Sequence, residues 1–537
     1  MARMTGGDAL ASALISEGVD TVFGIPGVQL DGLTDGMYRK RAELGLVVPR
    51  HEQATSYMAD GYYRTSGRPG VAMVVPGPGV LNAGAGMATA YACSSQVMLL
   101  AGTIPSPLVG SGLGALHEIP RQTETVEGLT KWSARPNRVE EIPDLVHEGF
   151  RQLRTGRPRP VALELGPDLL HAVADLDPGE PFPVPAQEVP GDGVAELARL
   201  LESSTRPVIH TGGGMRDPRA FKLLARLAEL LDAPVVMSEN GRGTIDAEDP
   251  HALPAFALWE LRSSADLVVS FGSRFLTPFG QQLNIGGARL ALVNIDANDL
   301  GAPRRPDLAV NADAVAVLTA LVERLTPRSA WGTELRRIRE DCATRIRQQV
   351  APQLEFVDAI RAALPADGVY VNELTQIGYV STYGFPVRAP RSYVWPGYQG
   401  TLGYAMPTAL GAAVGAGGRP VVAVTGDGGI GWSMQEFATA KKYGIPLVTV
   451  LFEDARFGNV WRIQRDTYGG RFIGSELTNP DFGTLAQAFG LDSALAEDAA
   501  AVGKHVAAAI EARRPAIVRV PVEVFPSPWP LIHEPKR

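Results

Sequence analysis

The stretch Val421–Gln464, VVAVTGDGGIGWSMQEFATAKKYGIPLVTVLFEDARFGNVWRIQ, limits what this chain can fold into more than any other part of it. Val421–Thr425 is a short apolar, β-branched run, as a buried strand requires. The turn Gly426-Asp427-Gly428-Gly429 follows, and then a helix whose apolar positions include Trp432, Phe437 and Ala440. Gly444 and Pro446 end that helix, and Leu447–Phe452 reads as a second buried strand. This is a βαβ unit, with parallel strands and a right-handed crossover. Asp427 then lies just past the carboxyl end of one strand, and Asp454, 27 residues on, just past that of the next. Ligands of open α/β sheets bind at that edge. Two carboxylates there can share one hard cation, and the glycines let backbone N–H groups face a phosphate. Alone, Gly-Asp-Gly-Gly is equally a tight turn with Asp427 as a helix cap. The second carboxylate favours a Mg²⁺–diphosphate group.

The same grammar runs through the rest of the 537 residues, a length that accommodates about three domains. A first block, 1–172, has strands at Thr21–Ile25, Val71–Val75 and Val97–Ala101. Pro26-Gly27 and Pro76-Gly77-Pro78-Gly79 stand at strand ends, and Arg50-His51-Glu52-Gln53 opens a helix running through Met58, Ala59, Tyr62 and Tyr63. Residues 172–192, with Pro178, Pro181, Pro183, Pro185 and Pro190, read as a linker. The second block, 190–328, has strands at Pro207–His210, Pro234–Met237, Leu267–Ser270 and Leu290–Ile295. Its Gly212-Gly213-Gly214 and Ile295-Asp296 are strand-end turns of a kind too common to assign a ligand. A charged helical stretch, Trp331–Gln349, leads to the third block, 355–537. The alternation predicts an α/β fold of three doubly wound parallel-sheet domains, the first and third echoing each other.

A net charge of −8 leaves no basic footprint for nucleic acid. Two cysteines, Cys93 and Cys342, exclude a disulfide framework or a cysteine metal site. The N-terminus has Leu10, Leu14 and Ile15 at helical spacing but no long apolar core, so neither a signal peptide nor a membrane span is expected, and cytoplasmic location is the default.

Gly-Asp-Gly, a helix, and a polar pair after the next strand resemble the cofactor signature of thiamine-diphosphate (ThDP) enzymes, and the chain is most similar to the acetolactate synthase-like group. The resemblance covers nearly the whole chain. It implies a pyrimidine-binding first domain, a central domain and a diphosphate-binding third domain, with ThDP and Mg²⁺ as cofactors. That group has Asn-Asn where this chain has Glu453-Asp454. Asp427, Asp454 and the Arg456 carbonyl become the implied metal ligands, and Gly426, Gly428, Gly429, Phe457, Gly458 and Asn459 the implied surroundings of the diphosphate. Thr375 and Gln376 align with diphosphate contacts.

RHEQATSYMADGYYRTSG matches the segment that carries the family's invariant glutamate, here Glu52. By itself Glu52 is only an acidic residue in a first helical turn, where it favours the helix dipole. In the family that carboxyl hydrogen-bonds the aminopyrimidine, whose amino group, as an imine, takes the thiazolium C2 proton; the work suits a carboxyl that shares a proton with a ring nitrogen. His51 beside it reads as structural. Pro76 and Gly77 stand in the turn that abuts the pyrimidine, and Asn82 matches a position near it. Pro26, Gly27 and Gln29 belong to the first active-site turn, with Gln29 an implied catalytic contact. Gly400, Thr401 and Leu402 match the segment beneath the thiazolium, with Leu402 the wedge that bends the cofactor and brings its amino group to C2.

The implied activity is that of a C–C bond lyase and carboligase: a 2-oxo acid adds, CO₂ leaves, and the enamine passes to a second carbonyl. The alternative is a simple decarboxylase that releases an aldehyde, and a different class altogether is a nucleotide-binding regulatory protein. The acceptor-binding arginine of acetolactate synthases, after the turn Gly272-Ser273-Arg274-Phe275, is Pro278 here, which removes a bidentate carboxylate partner. Their Phe-Gln pair is Leu116-His117, and their active-site tryptophan aligns with Ile463. His117 becomes a candidate catalytic group, able to protonate the enamine or bind an acceptor oxygen. Ala252–Glu260 replaces the flavin-lining segment, which argues against bound FAD. The resemblance further implies a homodimer or homotetramer whose active sites lie between subunits.

Overall fold

The computed structural model describes residues 1–534. The apolar runs form three six-stranded sheets whose strands all pair in parallel. Strands such as Val97–Gly102 and Gly70–Val74 are buried along their whole length, which is why they are apolar rather than alternating.

The first sheet runs, side by side, Gly45–Val47, Thr21–Gly24, Gly70–Val74, Val97–Gly102, Val161–Leu165 and Trp132–Ala134. The third runs Tyr393–Val394, Val369–Val371, Val421–Gly426, Leu447–Glu453, Ala516–Pro521 and Asp492–Leu495. In chain order both read second, first, third, fourth, sixth, fifth. The echo between the outer blocks is thus a shared topology. The middle sheet, with strands from Pro207–Thr211 to Leu308–Asn311, reads third, second, first, fourth, fifth, sixth. In the outer sheets the order reverses between the first and third strands, and the crevice for a ligand opens there. The turns after Thr21–Gly24 and Gly70–Val74 meet at that point of the first sheet; those after Val369–Val371 and Val421–Gly426 meet at that point of the third.

One apolar core, from Phe23 through Tyr57 to Val421 and Phe437, joins the outer sheets. Its spine is the crossing of helices Glu52–Ser66 and Ala405–Gly415. The crossing is too close for side chains: a Cβ on Gly61 would lie 2.0 Å from the Thr408 carbonyl oxygen, and one on Gly411 1.9 Å from that of Met58. Beside it the buried Arg64 guanidinium donates to the Tyr404 hydroxyl at 3.0 Å, and that hydroxyl donates to the buried Asp60 at 3.3 Å. A second core joins the middle and third sheets through helix Thr333–Ala363.

Three local expectations need correction. The helix after Gly-Asp-Gly-Gly is broken into Asp427–Ile430, Met434–Glu436 and Phe437–Tyr443, because the glycines cannot sustain it, and Trp432 is exposed rather than buried. The helix expected to end at Gln349 continues to Ala363 past a backbone break at Val350, two residues before Pro352. The proline-rich linker begins with a strand, Val173–Leu176, paired antiparallel with Ala2–Thr5. Among the described residues no helix is long and apolar enough to cross a membrane.

Candidate active site

At the third sheet, Asp427 is buried and fixed by four donors. One carboxylate oxygen accepts Gly428 N–H at 2.8 Å; the other accepts Asp454 N–H at 3.0 Å, Ala455 N–H at 2.6 Å and the Asn479 amide at 2.8 Å. Asp427 therefore laces together the ends of two neighbouring strands. The half-buried Asp454 accepts the Gln376 amide at 2.8 Å on one oxygen and Arg456 N–H at 3.3 Å on the other. Among the described residues neither carboxylate has an ion-pair partner. Burial, then the charge of Asp427, holds the Asp454 carboxyl well above the usual carboxylate range. A shared cation would relieve both. No third His, Cys, Asp or Glu joins them among the described residues. Two carboxylates with the remaining sites left to backbone and phosphate oxygens is a donor set that suits Mg²⁺.

A cavity of about 370 Å³ opens on this pair. Its walls include Thr375, Gln376, Gly400, Leu402, Gly426, Gly428, Gly429, Arg456, Phe457, Gly458 and Asn459, all expected there, and also Glu373, Ile377, Tyr379, Val460, Arg462 and Val522, which were not. Thr401 lies outside the wall: its hydroxyl shares a 3.1 Å hydrogen bond with that of Tyr57 on the Glu52 helix. The Gln376 side chain is also spent elsewhere. Its amide donates to Asp454 and to the Glu523 carbonyl, and its oxygen accepts Arg462 and Phe525 N–H, so the side chain has no donor left for a diphosphate.

Glu373 is the residue that sequence reasoning passed over. It follows the strand Val369–Val371 by two positions, at the same sheet edge as Asp427, and that was the available signal. Its buried carboxylate accepts Tyr404 N–H at 3.0 Å and the Thr425 hydroxyl. Burial pushes this carboxyl up to about 7. A Cβ on Gly429 would fall 2.6 Å from its oxygen, so the glycine turn rests directly on Glu373.

At the first sheet, Glu52 opens its helix half-buried and accepts the Asn82 amide at 3.1 Å. The N–H groups of Arg50 and His51 donate to the buried Glu436 carboxylate at 3.0 Å, which anchors the start of this helix on the third block. His51 caps the helix by accepting Gln53 N–H at 3.2 Å, a structural role. Gln29 and His117 meet. The Gln29 amide nitrogen donates to the Leu116 carbonyl at 3.1 Å, and a carbonyl can only accept, so the Gln29 oxygen faces His117 Nδ1 at 3.1 Å. Nδ1 must then carry the proton, which leaves Nε2 to accept when the ring is neutral and to donate when it is charged. His117 holds this position at φ +70°, a conformation uncommon outside glycine and one that collects at functional sites.

The turn beside it allows no side chain: Gly77 has φ +57°, and a Cβ there would lie 2.3 Å from the His117 carbonyl oxygen. Gly77 N–H donates to Gln122 at 2.8 Å, and Gln122 in turn donates to the buried Glu164 at 2.9 Å. Neither Gln122 nor Glu164 was expected from sequence, since a lone Gln in a loop carries no signal. Pro76 is buried in the same turn, and Gly27, after Pro26, packs against Val75. None of Glu52, Gln29 and His117 lines the cavity at the third sheet.

Comparison with known proteins bears directly on this geometry. Residues 4–125 match the N-terminal TPP binding domain of thiamine pyrophosphate enzymes, 194–321 the central domain, and 375–520 the C-terminal TPP binding domain. A probable 2-ketoarginine decarboxylase of Pseudomonas aeruginosa is 35% identical over 509 residues, spanning 91% of this chain and 88% of the relative. A probable acetolactate synthase large subunit of Methanocaldococcus jannaschii is 31% identical over 520 residues, 91% of this chain and 87% of the relative. Acetolactate synthase isozyme 2 large subunit of Escherichia coli is 28% identical over 548 residues, 98% and 97% of the two chains. With three parallel sheets in place, the chain belongs to the thiamine-diphosphate-dependent enzymes of the acetolactate synthase-like family.

Proposed function

We propose that this chain is a ThDP- and Mg²⁺-dependent lyase and carboligase that decarboxylates a 2-oxo acid and passes the product carbon to a second carbonyl. The observation that carries this reading is the Asp427–Asp454 pair, two convergent carboxylates without an ion-pair partner among the described residues, on the wall of a cavity. The chemistry supplied by bound ThDP is a carbon nucleophile and an electron sink for loss of CO₂.

The chain's own residues do the rest. Asp427 and Asp454, with the Arg456 carbonyl, hold the cation. Gly426, Gly428 and Gly429 would let the chain approach the diphosphate, and Leu402, on the same cavity wall, would pack against the cofactor. Glu52, kept in place by Asn82 and by the Glu436 anchor of its helix, holds a proton at its carboxyl against the pyrimidine. His117 Nε2, its tautomer set by Gln29, gives or receives the proton that decides the product. The first and third sheet edges of one chain do not share a cavity, so we assign the two halves of each active site to different subunits of a dimer or a dimer of dimers. On this reading the blocks 1–172, 190–328 and 355–537 are the pyrimidine-binding, central and diphosphate-binding domains.

A second reading, release of the aldehyde, is favoured by Pro278 in the acceptor position, by His117 as a proton donor, and by the relative named for 2-ketoarginine. Product analysis with pyruvate and with a 2-oxo acid bearing a guanidinium tail separates them. An acyloin or acetohydroxy acid supports carboligation, and free aldehyde alone supports the second reading. No CO₂ from any 2-oxo acid, with ThDP and Mg²⁺ bound, overturns both.

A further inference from the structure

Glu453 and Asp454 stand side by side at the end of one strand and are neutralised in different ways. Glu453 has a cation in direct contact, Arg519, at 2.9 Å. Asp454 has none. Arg456, the nearest in sequence, acts on the Asp454 carboxyl only at a distance: its guanidinium donates to the Asp454 backbone carbonyl at 2.9 Å and lies over the Trp461 ring. Behind Asp454, however, stands Arg462, 2% exposed, on the cavity wall. Its guanidinium donates at 3.0 Å to the Gln376 oxygen, whose amide nitrogen donates at 2.8 Å to Asp454. Arg462 Nε has no partner among the described residues.

The amide between them has only one possible orientation. The Gln376 oxygen faces two groups that can only donate, Arg462 and Phe525 N–H. Its nitrogen faces the Asp454 carboxylate and the Glu523 carbonyl. Polarised between a guanidinium and a carboxylate, the amide transmits charge while leaving Asp454 free of a direct ion pair. That matters at a cation site. A fork-to-fork arginine would occupy the oxygens that a metal needs, whereas a relayed one balances the charge and leaves them open.

We infer that Arg462 is a positioning residue that offsets the charge of Asp454 through the Gln376 amide, so that an anionic diphosphate can enter a pocket already holding two carboxylates. This rests on the reading of Asp427 and Asp454 as holders of the cofactor's cation.

The test is a charge cycle read by ThDP binding. The ThDP dissociation constant of cofactor-free protein is measured by tryptophan fluorescence at fixed Mg²⁺ for wild type, Arg462→Gln, Asp454→Asn and the double variant. Arg462→Gln is expected to weaken ThDP about tenfold in the wild-type background and less than about threefold beside Asp454→Asn, where position 454 carries no charge for the relay to offset. Arg462→Lys, which keeps the charge and loses the fork, should stay within about threefold of wild type and carries the test if Arg462→Gln fails to fold. An equal loss in both backgrounds, or a Lys variant as weak as the Gln variant, would mean that Arg462 only packs the wall and overturns the inference. A wild type that shows no Mg²⁺-dependent ThDP binding overturns the proposed function itself; wild-type binding without coupling overturns only the role of Arg462.

Discussion

At the third sheet Asp427 is buried under four hydrogen bonds and faces a cavity assembled within one chain. At the first sheet Glu52 is half-buried, Asn82 beside it is exposed, and Val28, Leu81, Leu113 and Leu116 present large apolar side chains to solvent. The two edges share a strand order, so topology does not explain the contrast. Charge does. Carboxylates that hold a cation must be set before it arrives, and here their fixing partners, Gly428, Asp454, Ala455, Asn479 and Gln376, all come from the same domain. The pyrimidine edge needs an apolar wall around a neutral ring, and a wall can come from another copy of the chain. On the proposed reading one edge is finished within its own chain and the other by association.

Substitutions can break this contrast or sharpen it. Asp427→Asn should raise the ThDP dissociation constant about 100-fold or more at fixed Mg²⁺, because the cation loses a charged ligand and the new amide nitrogen, which can only donate, faces a backbone donor where a carboxylate oxygen accepted. Glu52→Gln should bind ThDP within about tenfold of wild type while turnover falls about 10²- to 10⁴-fold. Binding titrations beside steady-state rates would show this split, and equal binding losses for both would erase the distinction between the edges.

His117→Gln should lower kcat about 100-fold and change the aldehyde-to-acyloin ratio, with ThDP affinity unmoved. Gln29→Leu, which frees the ring to take either tautomer, should cost about tenfold in kcat; chromatography of the products reads both.

Glu373 tests the third edge by pH. Its folded carboxyl is raised from 4.5 to about 7, so the folded chain holds that proton more tightly than the unfolded one. The stabilisation is full below about pH 4.5 and is lost as pH rises through 7. Between pH 5 and pH 8 the cofactor-free wild type should lose roughly 2 kcal/mol that Glu373→Gln does not lose, and melting curves across that range would detect it. The smallest effect belongs to Thr401→Val, which removes the hydroxyl contact with Tyr57 and should cost about 1 kcal/mol in stability with little change in ThDP binding.

The strands were legible because a strand buried on both faces must be apolar throughout, and Val421–Thr425 or Val97–Ala101 have no other reading. The placement of Asp427 and Asp454 at neighbouring strand ends was legible because each follows directly on one of those apolar runs. What escaped was set by tertiary contact. Whether Gln376 faces a diphosphate or bridges Asp454 and Arg462 depends on a helix turn more than 80 residues away. Glu373 looked like an ordinary polar residue until burial under Gly429 gave it a raised carboxyl. Trp432 was misread because a pattern of apolar positions does not show where glycines break a helix.

The central claim, that each active site takes its Glu52 from one chain and its Asp427 from another, is tested most directly by mixing. Glu52→Gln and Asp427→Asn chains, each inactive alone, are unfolded together, refolded with ThDP and Mg²⁺, and assayed for CO₂ release from the 2-oxo acid that the wild type turns over. If the halves lie on different subunits, each mixed dimer regains one intact site and the mixture recovers about a quarter of wild-type activity. A mixture as inactive as either variant alone, with mixed dimers present, would place both halves on one chain and contradict the claim.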